Sequence, residues 1–199
     1  MVYGRKMVFV VNGKPRAGKD TFAQILGEYM DVYKYSAVSK VKEIAKLCGW
    51  DGAKEERDRK FLHELKMLTT GYSDMSHKDI LNEIQKYYDG EIQADVFVVD
   101  IREPEEIKRL LEVVPAITIF IDNDRVPAIT SNAADANVEN YEYDFHINND
   151  GTLDDFETNI KLFLEILMML TLMAEDYENG DLEILNKRGN EKCQNPKTS

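Results

Sequence analysis

Gly13 and Gly18 bracket four residues; Lys19 follows the second glycine, with Asp20 and Thr21 next. Glycines let a backbone curl until successive N–H groups converge on one anion. A lysine beyond such a turn adds a mobile point charge, and a helix starting there adds free N–H groups and its positive dipole end. These types at this spacing point to phosphate binding. Asp20 stands where a metal-binding hydroxyl is usual; its carboxylate could hold a cation, directly or through water, or cap the helix. Further along, Asp100 ends an apolar run and Arg102 lies two residues on. A carboxylate at the carboxyl end of a buried parallel strand sits where ligands of open α/β sheets bind. Asp100 could instead cap the next helix, and Arg102 could pair with Glu105 or Glu106.

The surrounding pattern supplies elements to position these groups. Met7–Val11 is apolar and valine-rich, as a strand buried on both faces should be. Phe22, Ile25, Leu26 and Tyr29 recur at helical spacing and predict a helix from Lys19 to about Met30. A short strand is expected at Val32–Ser36, with Val32, Tyr33 and Tyr35 set against Lys34. Ser39 is placed to cap a helix ending at Gly49. The charged run 51–60 reads either as a solvated helix face or as a source of Arg57, Arg59 or Lys60 for an anionic substrate. A helix continues through Phe61, Leu62, Leu65 and Leu68 to Gly71. His63 and Lys66 share a face with Arg59 there, and His63 reads as an exposed or half-buried helix residue rather than a base. Ser76 to Asp79 resembles a capping box opening another helix, which ends at Asp89-Gly90.

More than eighty mostly helical residues thus separate the first strand from the next strong one, Ala94–Asp100. That is too long for a simple crossover and reads as a helical insertion, about 38–90, on a parallel-sheet core. A helix at Glu103–Glu112 with Pro104 in its first turn, a strand at Ala116–Ile121, an irregular stretch at Asp122–Glu142 and a short strand at Tyr143–Ile147 follow. Asn148–Thr152 is a turn whose Thr152 is placed to cap the last helix. The polar segment 176–199 is expected to be a disordered tail after a domain spanning 1–175.

Bulk properties set outer limits. The 199 residues carry a formal net charge of −12, with 43% hydrophobic and 31% charged residues. This suits one soluble domain with an inserted subdomain and argues against broad nucleic-acid binding. Cys48 and Cys193 stand in unrelated contexts, which disfavours a disulfide framework or a cysteine metal site. No secretory leader is apparent and the apolar stretch Leu162–Ala174 is too short to span a bilayer, so a cytoplasmic protein is expected, with no membrane partner. That stretch is apolar on more than one helix face, which calls for a second subunit or the tail folding back as cover and favours a homodimer through 162–174.

Three segments carry a family resemblance: Gly-x-x-x-x-Gly-Lys-Asp-Thr at 13–21, Val-Val-Asp-Ile-Arg-x-x-x-Glu at 98–106 and Ile-Asn-Asn-Asp-Gly-Thr-Leu at 147–153. In this order, over about residues 7–165, they resemble the nucleoside monophosphate kinase group of P-loop kinases, and within it the phage-type deoxynucleoside monophosphate kinases. The Lys-Asp-Thr form also occurs in animal-type phosphomevalonate kinases and is similar to loops of dephospho-coenzyme A kinases. The resemblance implies a three-layer α/β fold with a mainly parallel sheet of about five strands and a helical acceptor-binding insertion. It implies Mg²⁺-dependent transfer of the ATP γ-phosphate to a (deoxy)nucleoside monophosphate.

The residue roles it implies are these. Gly13, Lys14, Arg16, Ala17, Gly18, Lys19, Asp20 and Thr21 hold the ATP phosphates; Asp20 or Thr21, with Asp100, lies near Mg²⁺. Arg102 sits between donor and acceptor phosphates, and 122–142 is a lid with Arg125 as its arginine. Asn149, Gly151 and Thr152 lie beside the adenine. The alternatives are another small-molecule kinase, of phosphomevalonate or dephospho-coenzyme A type, and a catalytically silent nucleotide-binding protein that works by interaction. The silent reading draws on the acidic lid, in which Arg125 is accompanied by several acids.

Overall fold

The computed structural model describes residues 6–53, 55–126 and 138–192, with side chains through residue 174. Five strands form one sheet: β1 (Met7–Asn12), β2 (Val32–Ser36), β3 (Val96–Asp100), β4 (Ile117–Asp122) and β5 (Phe145–Asn148), in the order β2-β3-β1-β4-β5. Every pairing is parallel, so the chain is an α/β protein on a parallel sheet. The helices are α1 (Lys19–Leu26), α2 (Ser39–Leu47), α3 (Glu56–Ser73), α4 (Met75–Asp89), α5 (Pro104–Leu111) and α6 (Leu153–Lys192). Three helices, α2, α3 and α4, lie between β2 and β3, over the stretch 38–90.

The central strands are buried on both sides, which is why they read as unbroken apolar runs rather than alternations. Val8, Val10, Phe97, Val99 and Phe120 point to one face and pack with Ile80, Ile84 and Tyr87 of α4 and Ile107 and Leu110 of α5. Tyr33 and Tyr35 join this core through Phe97, with ring centroids 5.4 and 6.3 Å away. The Tyr87 hydroxyl donates to Asp95 O at 2.8 Å and accepts from Met7 N at 2.9 Å, tying α4 to the starts of β3 and β1. Burial, with the backbone N–H bond opposing it, pushes the Tyr87 hydroxyl up to about 12. Phe9, Val11, Val98, Ile119 and Ile121 are buried at the alternate positions.

Several local expectations fail for identifiable reasons. Ser39 does not cap α2 but is its first residue; its hydroxyl accepts from Ser36 N at 3.3 Å across the turn. Gly71 does not stop α3, which runs two residues further to Ser73. The capping box expected at Ser76–Asp79 is not formed: α4 opens one residue earlier, at Met75, after Asp74 in the left-handed region. Asp79 accepts from the Tyr35 hydroxyl instead, so tertiary packing claims the carboxylate that the local motif would use. A capping box forms earlier, where Glu55 N donates to Asp58 Oδ2 at 3.1 Å at the start of α3. At α6 the expected cap is present: Asp155 N donates to Thr152 Oγ1 at 3.2 Å and Thr152 N to Asp155 Oδ2 at 2.8 Å.

The chain divides into two compact units, Tyr3–Ile160 and Lys161–Ser199, with α6 continuing across the division. The first unit holds the sheet and α1 to α5. In the second, Phe163, Leu164 and Leu167 are buried, while Leu162, Ile166, Met169, Leu170, Leu172 and Met173 are exposed. The backbone stays helical through Lys192, across the point at 176 where the polar tail is expected to begin. Among the described residues no helix is long and apolar enough to cross a membrane.

Candidate functional site

The loop between β1 and α1 needs glycine at two points. Gly13 has φ 147°, and a Cβ there would stand 2.7 Å from the Ile121 carbonyl oxygen. Gly18 has φ 110°, and a Cβ there would meet Asn149 Nδ2 at 2.4 Å. Arg16 also adopts positive φ, 69°, so the chain turns tightly between the two glycines. Ala17 N donates to Lys14 O at 3.0 Å within the turn, and Phe22 N to Gly18 O at 2.8 Å where α1 begins. Lys19 folds back over the loop, its ammonium donating to Gly13 O at 2.6 Å and Lys14 O at 3.0 Å. The loop, its lysine and the amino end of α1 thus lie together at the carboxyl end of β1.

Asn12 fixes the base of this loop. It is fully buried; its side-chain oxygen accepts from Gly13 N at 2.8 Å, and its amide donates to Arg102 O at 3.1 Å and to the Tyr143 hydroxyl at 2.7 Å. Tyr143 passes its own proton to Val138 O at 2.8 Å, and burial raises its hydroxyl well above the usual phenol range. One side chain therefore joins the phosphate loop, the Arg102 segment and the segment entering β5. Sequence reasoning missed it, although a polar residue closing a buried apolar strand is a visible signal. We expect Asn12→Leu to destabilise the protein by about 2–4 kcal/mol, because it removes three hydrogen bonds at once and leaves the buried Gly13 N without its Asn12 partner. Urea unfolding measures this, and a loss below about 1 kcal/mol would mean that water replaces the amide.

Asp20 and Asp100 come together around a residue not selected from the sequence. Lys34 lies on the same face of the sheet as Asp100, because it stands two positions before Ser36, the parallel partner of Asp100. Its ammonium contacts Asp20 Oδ1 and lies 3.6 Å from Asp100 Oδ2. Asp100 Oδ1 is buried with no hydrogen-bond partner among the described residues. Asp100 is not the cap of α5: that helix starts at Pro104, and Glu103 precedes it. Thr21 is half-buried on the first turn of α1. Among the described residues no group of three or more His, Cys, Asp or Glu side chains could hold a metal. Two carboxylates, one with an orphaned oxygen, nevertheless suit Mg²⁺, which takes one or two protein carboxylates and draws its other ligands from phosphate and water.

Arg102 is exposed just beyond β3, on backbone held by the Asn12 amide. The acids proposed as its surface partners have other cations: Glu105 Oε1 is 2.7 Å from the Lys108 ammonium, and Glu106 Oε1 is 2.7 Å from that of Lys66. The Lys66 pair and a two-bond Arg109–Asp74 pair tether α5 to α3 and to the junction of α3 with α4. The Arg109 guanidinium beside Asp74 holds its carboxyl below the usual range. His63, Arg57, Arg59 and Lys60 are exposed on α3, which fits the solvated-face reading of this run.

The turn after β5 meets the loop directly. Asn149 Nδ2 donates to Ala17 O at 2.7 Å, and Asn149 O accepts from Arg125 Nη2 at 2.6 Å. Arg125 is thereby placed on this turn. A Cβ at Gly151 would stand 2.6 Å from the Asp155 carboxylate, so Gly151 and Thr152 build the start of α6 beside the turn. Residues 127–137 of the expected lid lie outside the described residues.

No protein-family model matches the chain, and no curated protein matches it. Solved structures do. One is a dephospho-CoA kinase from Campylobacter jejuni, 21% identical, with 81% of this chain and 97% of that chain covered and a TM-score of 0.48. Another is TT1252 from Thermus thermophilus, 17% identical, covering 82% of this chain and 98% of that one, TM-score 0.46. A shikimate kinase from Aquifex aeolicus vf5 is 17% identical over 82% of this chain and 99% of that chain, TM-score 0.44. Likeness at this level does not extend to chemistry, which has to be read from the side chains.

One of those side chains engages a cation of the glycine loop. Glu139, at the end of the expected lid, pairs with the Lys14 ammonium at 2.8 Å. That hydrogen bond raises the Lys14 pKa against the lowering effect of burial, with the charges of Asp124 and Asp122 adding to it. Lys14 is therefore protonated but already engaged by a carboxylate. We expect Glu139→Gln to tighten binding of ATP about two- to fivefold, the scale of a partly exposed ion pair. Isothermal titration checks this; unchanged or weaker affinity would show that phosphates and Glu139 do not compete for Lys14.

Proposed function

We propose that this protein is a P-loop kinase that transfers the γ-phosphate of ATP to a (deoxy)nucleoside monophosphate, giving the diphosphate and ADP. The observation that carries the reading is the left-handed glycine loop with Lys19 folded over it, two carboxylates meeting at one point beside the first turn of α1. In this reading the N–H groups of the loop and the amino end of α1 bind the phosphates of ATP, and Lys19 exchanges its contacts with Gly13 O and Lys14 O for phosphate oxygens. Asp20 and Asp100, with Thr21 alongside, hold Mg²⁺, which neutralises phosphate charge when it is bound. Arg102 compensates charge on the transferred group; transfer between phosphates depends on alignment and charge more than on a base. Asn149 and Arg125 lie where the turn after β5 meets the loop, and we assign that turn to the adenine side.

A coupled assay of ADP release over ribo- and deoxynucleoside monophosphates, with phosphomevalonate and dephospho-coenzyme A included, tests the acceptor. Turnover confined to the last two would replace the monophosphate reading by another small-molecule kinase. The silent binding protein, which the poorly basic lid and the apolar segment Leu162–Ala174 favour, predicts ATP binding without ADP release on any acceptor. A homodimer through 162–174 belongs to the same proposal, because six apolar side chains are exposed there. Sedimentation velocity of the full chain should show twice the monomer mass, and a monomer at high protein concentration would remove it.

A further inference from the structure

Lys34 occupies a position that the reading above assigns to a metal. It comes from the edge strand β2, its side chain is 29% exposed, and its ammonium touches Asp20 and lies 3.6 Å from Asp100. Asp20 and Lys34 line an open groove running along α1 and β2, so small cations in solvent reach the pair. Two carboxylates converging on one point repel each other unless a cation stands between them. Here the chain supplies that cation itself. The ammonium contacts Asp20 and lies at ion-pair distance from Asp100 Oδ2, while Oδ1 is buried with no hydrogen-bond partner among the described residues.

We propose that Lys34 is a resident counter-cation of the Asp20–Asp100 pair, holding the place of the divalent cation in the nucleotide-free protein so that the metal enters with the nucleotide. The role rests on the kinase reading only for its purpose; the competition itself is a property of three side chains. A free divalent ion gains two carboxylates but must evict an ammonium and give up part of its hydration. An ion arriving on a polyphosphate brings further ligands with it, and the exchange then favours the metal. Magnesium alone would therefore not load the site, and the orphaned Asp100 oxygen becomes a ligand only when Lys34 withdraws. Lys34 acts on the reaction through the carboxylates and is a positioning residue.

The test is binding of Mn²⁺ alone to the full chain without nucleotide, read from the electron paramagnetic resonance signal of free Mn²⁺. Lys34→Met, which keeps the length of the stem and removes the charge, should bind Mn²⁺ at least ~10-fold more tightly than the natural protein. Lys34→Arg keeps the charge and should stay within about twofold. In the double variant Lys34→Met, Asp100→Asn the gain should disappear. Lys40→Met removes another lysine of the neighbouring helix, paired with Glu43 at 2.7 Å, and controls for a change in net charge. Equal Mn²⁺ affinity of Lys34→Met and the natural protein overturns the proposal. So does a gain that survives Asp100→Asn or is matched by Lys40→Met. Should Lys34→Met fail to fold, Lys34→Gln carries the same comparison. A protein inactive on every acceptor would sink the kinase reading and leave the Mn²⁺ result standing; active protein with unchanged Mn²⁺ affinity would do the reverse.

Discussion

Lys19→Ala should lower the proposed phosphoryl transfer by at least about 10³-fold, the upper scale for losing one preorganised charge at a developing anion. The ammonium lies over the loop and holds two of its carbonyls, Gly13 O and Lys14 O. The loop keeps its shape without them, because Asn12 fixes Gly13 from below, Asn149 holds Ala17 O and the turn closes on itself through Ala17 N. Two hydrogen bonds at a partly exposed site are worth about 1–3 kcal/mol together, so the variant should unfold at a lower urea concentration but remain folded at room temperature. The measurement is ADP release at saturating acceptor, with circular dichroism as the control for fold. Natural turnover in a folded variant would remove the phosphate-loop assignment. Lys19→Arg should not restore the rate, since a planar fork cannot take the place of a compact ammonium inside a tight loop.

Arg102→Ala should lower the proposed turnover by at least about 10²-fold. Arg102 O accepts from Asn12, and the residue is exposed just beyond β3. The neighbouring acids bind Lys66 and Lys108, so truncation leaves these two pairs in place. The effect should fall mainly on kcat, because a charge that matters most in the transition state is missed most there. A variant altered only in melting temperature would make Arg102 a surface ion-pairing residue, and Asp100 would then stand alone at that strand end.

Much of the fold could be read from periodicity. Strands buried on both faces announce themselves as the runs Val-Phe-Val-Val and Val-Phe-Val-Val-Asp, and all five strands overlap the stretches expected for them. Helix boundaries were read less well. A cap depends on which partner a polar side chain finds, and Asp79 finds Tyr35 across the core rather than the start of its own helix. Ser39 likewise serves the turn before α2. Such choices are made by elements far apart in the chain, so no local window contains them.

For the site the division is sharper. The sequence by itself determined that a glycine loop with Lys19 follows a buried strand, since the strand, the turn and the helix start are contiguous and each has its own local signature. It also determined that Asp100 and Arg102 lie at a strand end. The tertiary structure alone decided what surrounds them. Parallel pairing of β2 with β3 in the register Ser36 to Asp100 brings Lys34 between two carboxylates that stand 80 positions apart in the chain. The β1–β4–β5 pairings carry Asn149 to Ala17 over a separation of 132 residues, and the segment entering β5 sets Tyr143 on Asn12. The physical reason is that register is set by burial of whole faces, and the polar residues travel with the faces they belong to.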